Sequence, residues 1–312
     1  MTVDTEERES TLQPFAPGDV FVGATLLNDP DDDHAGLGRI LQYDAALNLR
    51  GQLWVTGTTH LVYGLSFSPQ GVLWAFDPWA WLAVRVTADA RQLPNRRFAS
   101  RAFSKVHFVA DGSLWFTEGL GGDNQPEPLT TRHRALPGHD TLLGEAGLYH
   151  YTPDGELLGE FHPEFHGGMS GSMAITHSVL APDGHTLIYV SETGPRLMRF
   201  DLATGKQQED LQHFPDGRGQ MFFDLALTDT GQLLVCRGDR VEALDLDGKL
   251  QRNYPLEGFG WSVIGTATPG AAFVANWFSG EVVRLDLATG DVTASVSIAP
   301  KCIAGLAQYS PA

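Results

Sequence analysis

Ionisable side chains recur near the start of short apolar segments in this sequence. Lys105, His177 and Asp224 are the second residues of SKVHFVADG, THSVLAPDG and FDLALTDTG. His177 is the candidate general base, because the unperturbed pKa of histidine is close to physiological pH. We expect Asp224 to orient its imidazole, and Lys105 to stabilise negative charge that develops on a substrate.

A second set of polar side chains ends the apolar segment that follows each Gly turn. Its members are Asp77, Glu118, Glu192, Arg237 and Asn276. Glu118 is predicted to take part in catalysis, and Arg237 to hold an anionic group of the substrate. Oxygen ligands around one opening suit Mg²⁺ or Ca²⁺, so the candidate ligands of a divalent cofactor are Asp77, Glu118, Glu192 and Asn276.

Aromatic side chains lie beside both sets and would wall a pocket for an organic molecule. The candidate substrate-binding residues are Tyr63, Trp79, Thr176, Arg237, Trp261 and Trp277. The sequence contains no H-E-x-x-H motif, no P-loop, no G-x-S-x-G motif and no G-x-G-x-x-G motif after a strand. These residues therefore predict a small-molecule site and no nucleotide site.

The elements that carry these residues repeat along the chain. Each unit has an apolar strand, a Gly turn and a second apolar strand, followed by further short strands with tight turns. The paired-strand motif reads YGLSFSPQGVLWAFD, SKVHFVADGSLWFTE, THSVLAPDGHTLIYVSE, FDLALTDTGQLLVCR and SVIGTATPGAAFVAN. No stretch of helical length shows a 3.6-residue apolar period. Four short strands in a unit of about 40–50 residues are typical of a β-propeller blade.

The sixth copy of the unit is split between the two ends of the chain. Its inner strand is the C-terminal IAGLAQYS, and its other strands are the N-terminal GDVFVGATL, GRILQYDA and LRGQLWV. Pairing these segments in one blade would close the ring and leave no open sheet edge. The sequence therefore predicts an all-β protein, with a single six-bladed β-propeller domain over residues 18–312 and a flexible acidic tail over residues 1–17.

Propeller geometry predicts that the two sets of polar residues meet. The inner strand of each blade leaves one mouth of the central channel and the second strand returns to it, so strand starts and strand ends surround the same mouth. Two long loops begin or end on that face. They are an insertion in the third blade, residues 119–147, and the connection between the third and fourth blades, residues 163–175. We expect both segments to cover the mouth, because long loops in compact domains are usually functional.

The composition limits the classes of partner. The chain has 312 residues and a formal net charge of −17, which opposes binding to nucleic-acid phosphates or to an anionic membrane. Cys236 and Cys302 have no C-x-x-C spacing, so neither a disulfide framework nor a thiolate zinc site is expected. The N-terminus has no signal-peptide pattern, and no segment has about 18 consecutive apolar residues. We expect a cytoplasmic protein with a small-molecule ligand, and the sequence leaves its oligomeric state open.

Two blades carry a resemblance to known propeller families. THSVLAPDGHTLIYVSETGPRLMRFDLATG resembles the blade of the regucalcin/gluconolactonase and strictosidine-synthase-like propellers, and SKVHFVADGSLWFTEG is similar to blades of the virginiamycin B lyase and NHL-repeat groups. The gluconolactonase resemblance implies metal ligands at inner-strand starts, where this chain has Thr176 and Phe223 at two of the three matching positions. The lyase resemblance carries a strand-end glutamate over to Glu118. It places the catalytic histidine at Ser104, whereas this chain has His177 in the next blade.

Three functions follow from these observations. The first is an enzyme that acts on a small organic molecule by base-assisted elimination or ring opening, as a lyase does. The second is a metal-dependent lactonase or hydrolase, or a condensing enzyme of the strictosidine-synthase kind. The third is a non-catalytic binding or scaffold propeller. The fold alone does not choose among them, because propellers serve all three purposes.

Overall fold

The computed structural model describes residues 8–29, 36–58, 62–124, 135–217, 220–266 and 269–311. Over these ranges the chain forms 23 β-strands and no α-helix. The described residues accordingly include no helical segment able to cross a membrane.

Six antiparallel sheets form the blades. The first blade joins both chain ends, in the order β23 (Ile303–Gln308), β1 (Val20–Leu27), β2 (Gly36–Tyr43) and β3 (Leu49–Trp54). The second contains β4 (Tyr63–Phe67), β5 (Leu73–Asp77) and β6 (Leu82–Val86). The third contains β7 (Phe103–Phe108), β8 (Leu114–Glu118), β9 (Leu148–Tyr151) and β10 (Leu157–Phe161). The fourth contains β11 (His177–Leu180), β12 (Thr186–Val190), β13 (Arg196–Asp201) and β14 (Lys206–His213).

The last two blades repeat the same four-stranded plan. The fifth contains β15 (Leu225–Leu227), β16 (Leu233–Cys236), β17 (Arg240–Leu244) and β18 (Leu250–Pro255). The sixth contains β19 (Trp261–Thr266), β20 (Ala271–Asn276), β21 (Glu281–Asp286) and β22 (Val292–Ser297). In every blade the first strand of the paired-strand motif is the innermost strand, as the repeat predicted.

The second blade has three regular strands in the described part of the chain. Residues 92–97 run beside β6 in the fourth position, where Ala83 and Arg96 exchange backbone hydrogen bonds of 2.8 and 2.9 Å. Pro94 lies in this segment and has no N–H to donate, so the pairing is limited to isolated bridges.

The burial of each strand follows its place in the blade. The second strands β12 and β20 are buried at every residue, because the neighbouring blades cover both faces of the sheet. The outer strand β22 is partly or fully exposed at every residue. The buried strands are therefore the continuous apolar runs by which the repeat was recognised.

The six inner strands surround the channel in a closed sequence. Contacts run from β4 through β7, β11, β15 and β19 to β23, and from β23 back to β4. In the first blade, Val20 pairs with Gln308 and Gly23 pairs with Gly305. The predicted six-bladed ring, closed by the N- and C-terminal strands in one blade, is confirmed.

Residues 10–17 pack on the ring, so the predicted tail is too long at its C-terminal end. The N–H of Phe15 donates to the carbonyl oxygen of Ala88 at 2.8 Å. The Phe15 ring centroid lies 4.5 Å from that of Phe21, a fully buried core residue. This aromatic contact helps to offset the entropy lost when the segment is ordered. The acidic residues that suggested a tail precede this segment, within positions 4–9.

Candidate functional site

A cavity of 480 Å³ opens at the mouth where the inner strands begin. Its wall combines the first residues of inner strands with the turns that follow the second strands. Six of the residues selected from the sequence line it, namely Tyr63, Trp79, Thr176, His177, Glu192 and Trp277. They come from three different blades, so the closed ring is what brings them together.

His177 is held by Asp224, which begins the inner segment of the next blade. The Nδ1 atom of His177 lies 3.0 Å from Oδ1 of Asp224. The same Oδ1 accepts the N–H of Leu225 at 2.7 Å, and Oδ2 accepts the N–H of Ile264 at 2.9 Å. Because Nδ1 faces the carboxylate, Nε2 is the ring nitrogen that can reach a ligand in the cavity.

The two partners shift each other's pKa in opposite directions. Burial opposes the charged form of His177, but the charge and hydrogen bond of Asp224, together with the charge of Glu192, outweigh burial and raise the pKa of His177. Burial would raise the pKa of Asp224, yet the adjacent His177 and the hydrogen bonds to its carboxylate lower it overall. Asp224 therefore stays ionised and makes His177 a stronger base than a free imidazole.

Glu192 brings a carboxyl group to the cavity wall. Its N–H donates to Oγ1 of Thr176 at 2.8 Å, and this hydroxyl donates to the carbonyl oxygen of Val190 at 3.2 Å. Thr176 thus fixes the backbone of Glu192 with the hydroxyl that was predicted to bind substrate. Burial raises the pKa of Glu192, partly opposed by His177. The cavity therefore pairs an imidazole with a carboxyl group that keeps its proton to a higher pH than usual.

Trp79 and Trp277 enter the wall from two turns of the same kind. Oδ1 of Asp77 accepts the N–H groups two and three residues further on, both at 2.8 Å. Oδ1 of Asn276 does the same at 3.0 and 3.1 Å. Each side chain closes an Asx turn that holds the tryptophan at the mouth. The sequence signal for this role was Asp or Asn at the end of a strand, directly before an aromatic turn.

Glu118 is buried inside the third blade and does not reach the cavity, where the sequence predicted it. Its Oε2 accepts the N–H of Gly147 at 2.9 Å and the hydroxyl of Tyr149 at 3.0 Å. Its Oε1 lies 3.6 Å from Nη1 of Arg101. Burial raises the pKa of Glu118, although these donors oppose the shift. Glu118 therefore anchors the end of the insertion to its blade.

The four candidate metal ligands do not form one site. Asp77 and Asn276 hold turns, Glu118 is inside the third blade, and Glu192 alone among them lines the cavity. Over the described ranges, no group of three or more His, Cys, Asp or Glu side chains has the arrangement of a metal site. The donor set expected for a divalent cation is therefore not assembled by these residues.

Three further predicted site residues lie elsewhere. Lys105 lines a second cavity deeper in the channel. The guanidinium carbon of Arg237 lies 4.0 Å from the ring centroid of Phe222, inside the fold. Trp261 is buried between blades, where its indole N–H donates to the carbonyl oxygen of Glu257 at 2.9 Å. Successive side chains of a strand point to opposite faces, so proximity to a strand end did not fix their direction.

Both long loops contribute to the cavity wall. Leu120, at the start of the insertion, and Met169 and Met173, from residues 163–175, line the cavity. Leu143 is fully buried in a small cluster with Leu120, and Met173 packs against it. The described parts of both loops therefore lie on the predicted face, and residues 125–134 fall outside the described ranges.

Several wall residues were not selected from the sequence. The remaining aromatic and hydroxyl positions include Phe223, Phe278, Ser262 and Thr193. Phe223 directly precedes Asp224, and Phe278 directly follows Trp277. The sequence feature that could have identified them is their position, since each is adjacent in sequence to a residue that was predicted to lie at the mouth.

The fold is shared with solved proteins of low sequence identity. A protein of unknown function from Bacteroides caccae is 15% identical with a TM-score of 0.62, covering 94% of this chain and 99% of its own. A chain of a nidogen/laminin complex is 12% identical with a TM-score of 0.62 and the same coverage of 94% and 99%. The third structure is a catalytically inactive virginiamycin B lyase from Staphylococcus aureus, solved with quinupristin. It is 13% identical with a TM-score of 0.55, and the match covers 94% of this chain and 88% of the lyase chain.

No protein-family model matches the chain, and no curated protein matches it significantly. Identities of 12–15% show a common fold and do not transfer an activity. The chain is a six-bladed β-propeller whose structural relatives include virginiamycin B lyase and the nidogen/laminin propeller.

Proposed function

We propose that this protein is an enzyme that acts on a small organic molecule by base-assisted elimination or ring opening. The observation that carries the proposal is the His177–Asp224 pair, whose free imidazole nitrogen opens onto a 480 Å³ cavity that also contains Glu192. A cavity of this volume lies within the range of about 300–1,000 Å³ that is common for small-molecule sites.

The proposed step uses two proton transfers. Nε2 of neutral His177 takes a proton from a substrate carbon, and the electron pair of that C–H bond forms a new double bond. The bond to the leaving group breaks with its electron pair, and the protonated Glu192 carboxyl gives its proton to the leaving group. Asp224 stabilises the resulting imidazolium. Proton return from Nε2 to Glu192 through water restores the starting state.

The cavity wall supports an organic substrate with apolar surface. Trp79, Trp277, Phe223 and Met173 present indole, phenyl and thioether groups. The ionisable groups among the described wall residues are His177, Glu192 and the phenol of Tyr63, whose pKa is raised by burial. A substrate that fills this space would exclude water, which strengthens the interaction of the reacting atoms with His177 and Glu192.

The alternatives have less support. A metal-dependent lactonase, hydrolase or condensing enzyme would need oxygen ligands that converge, and Asp77, Glu118 and Asn276 are engaged in their own blades. A non-catalytic binding propeller would use the same cavity without turnover. The lyase function is also supported by the virginiamycin B lyase structure, since that lyase has this fold although it is only 13% identical to this chain.

The test begins with a thermal-shift screen of small molecules, because a ligand that binds only the folded state raises the melting temperature. Each hit is then incubated with the protein and examined by mass spectrometry. Ring opening by elimination leaves the mass unchanged, cleavage by elimination gives products whose masses sum to that of the substrate, and hydrolysis adds one water. Binding without turnover by the wild-type protein would favour the scaffold function.

Variants then assign the residues. His177→Ala should lower kcat/KM by roughly 10²–10⁴-fold, the usual contribution of a general base. His177→Gln, which keeps a polar group near Asp224, should show the same loss with less effect on folding. His185→Ala is the matched control, since His185 is exposed outside the cavity. Unchanged kcat/KM in a folded His177 variant would remove this residue from the mechanism.

A further inference from the structure

A second cavity of 310 Å³ lies deeper in the channel than His177. All six inner strands line it, from the second residue of the strand onward. Its polar side chains are Ser66, Lys105, His107, Ser178 and Gln308. The cavity therefore lies on the far side of Asp224 from the proposed active site, within the same ring of inner strands.

Lys105 is the charged side chain of this cavity. His107, the other ionisable residue among the described wall residues, donates to or accepts from Oγ of Ser178 at 2.8 Å. Burial, together with the nearby Lys105, lowers the pKa of His107 to about 3, so its imidazole is neutral at physiological pH. The cavity thus concentrates one positive charge inside a chain whose net charge is −17.

The ammonium group of Lys105 has no ion-pair or hydrogen-bond partner among the described residues. Burial lowers the pKa of Lys105, and the charge of Asp224 opposes that shift from a distance. However, the carboxylate oxygens of Asp224 already face Nδ1 of His177 and accept the N–H groups of Leu225 and Ile264. A partly buried cation without a direct counter-ion is unfavourable, and an anion beside it would relieve that penalty.

We propose that this second cavity binds a small oxyanion, either a carboxylate or a tetrahedral oxyanion such as phosphate, through the ammonium group of Lys105. The volume of 310 Å³ corresponds to about ten water molecules at roughly 30 Å³ each, which admits a small anion with part of its hydration shell. When Oγ of Ser178 accepts from Nε2 of His107, the Ser178 hydroxyl keeps its own hydrogen to donate to the anion.

An anion in this cavity would also act on His177. Lys105 opposes protonation of His177, whereas Asp224 and Glu192 favour it. Neutralising Lys105 with an anion would therefore raise the pKa of His177 further. By thermodynamic reciprocity, the anion would bind more tightly when His177 is protonated.

Isothermal titration of the full chain with sulfate and, separately, with acetate tests the proposal at constant ionic strength. Sulfate represents tetrahedral oxyanions without titrating near neutral pH, and acetate represents carboxylates. We expect saturable binding of at least one of them, weakened at least tenfold in Lys105→Met and retained in Lys105→Arg. Lys249→Met is the matched control, because Lys249 is exposed on an outer turn and should have no effect.

Equal binding by the wild type and a folded Lys105→Met variant, or no saturable binding of either anion, would overturn the proposal. If Lys105→Met does not fold, a crystal of the wild-type protein soaked in selenate gives a second measurement. The anomalous selenium signal should then lie within hydrogen-bonding distance of Nζ of Lys105, and a signal only elsewhere would contradict the assignment. Neither measurement depends on turnover, so both are independent of the proposed function.

Discussion

Gly64 allows two blades to approach each other beside the cavity, and Gly64→Ala should disrupt that approach. Gly64 follows the cavity residue Tyr63 and has a φ of +65°, a backbone conformation that residues with a Cβ rarely adopt. A Cβ at this position would overlap the carbonyl oxygen of Ser104 in the third blade and would lie 3.3 Å from Cδ2 of Phe76. The substitution therefore combines conformational strain with a steric clash against backbone.

The two effects have separate magnitudes. A left-handed conformation costs a residue with a Cβ about 1–2 kcal/mol, and a clash that forces a backbone shift costs about 1–3 kcal/mol. Gly64→Ala should therefore lower the free energy of unfolding by about 2–5 kcal/mol. In a large domain, each kcal/mol lost from the free energy of unfolding lowers the melting temperature by about 2 °C, so the melting temperature should fall by about 4–10 °C.

Gly112→Ala isolates the conformational term. Gly112 has a φ of +85° in the turn between β7 and β8, and a Cβ there would meet no atom within 4 Å. This control should lose only about 1–2 kcal/mol, or about 2–4 °C. Differential scanning calorimetry of both variants makes the comparison. If Gly64→Ala and Gly112→Ala melted at the same temperature, the close approach of the two blades at Gly64 would be wrong.

Two further predictions concern the ion pair and the closure of the ring. Asp224→Asn removes the charge that raises the pKa of His177, so the rising limb of kcat/KM against pH should move to lower pH. The imidazole titration of His177, followed by NMR, should move the same way. A rising limb that does not move would show that His177 is not the base. Deletion of residues 302–312 removes β23 and opens the first blade, so it should eliminate most of the about 5–15 kcal/mol that stabilises a typical domain. A truncated chain with a near-parental melting temperature in calorimetry would contradict closure through β23.

The sequence determined the fold because the signal for a propeller is local and repeated. Each blade is marked by its own apolar strands and Gly turn, and the split copy at the two termini leaves a single way to close the ring. The same polarity placed His177, Glu192 and Trp79 at one mouth, where the structure has them. Position along a strand thus placed these three residues correctly, although Lys105, also near a strand start, lines the deeper cavity.

Tertiary structure decided which of the residues near that mouth face the cavity. A strand places successive side chains on opposite faces, so a residue at the correct height can still point away from the channel. Glu118 points into its own blade, and Arg237 packs on Phe222. Others are taken up by partners that no local pattern reveals. Asp77 closes the turn that holds Trp79, and Asp224 meets His177 only because two blades are adjacent in the ring. Direction and partnership depend on long-range packing, which a local repeat does not encode.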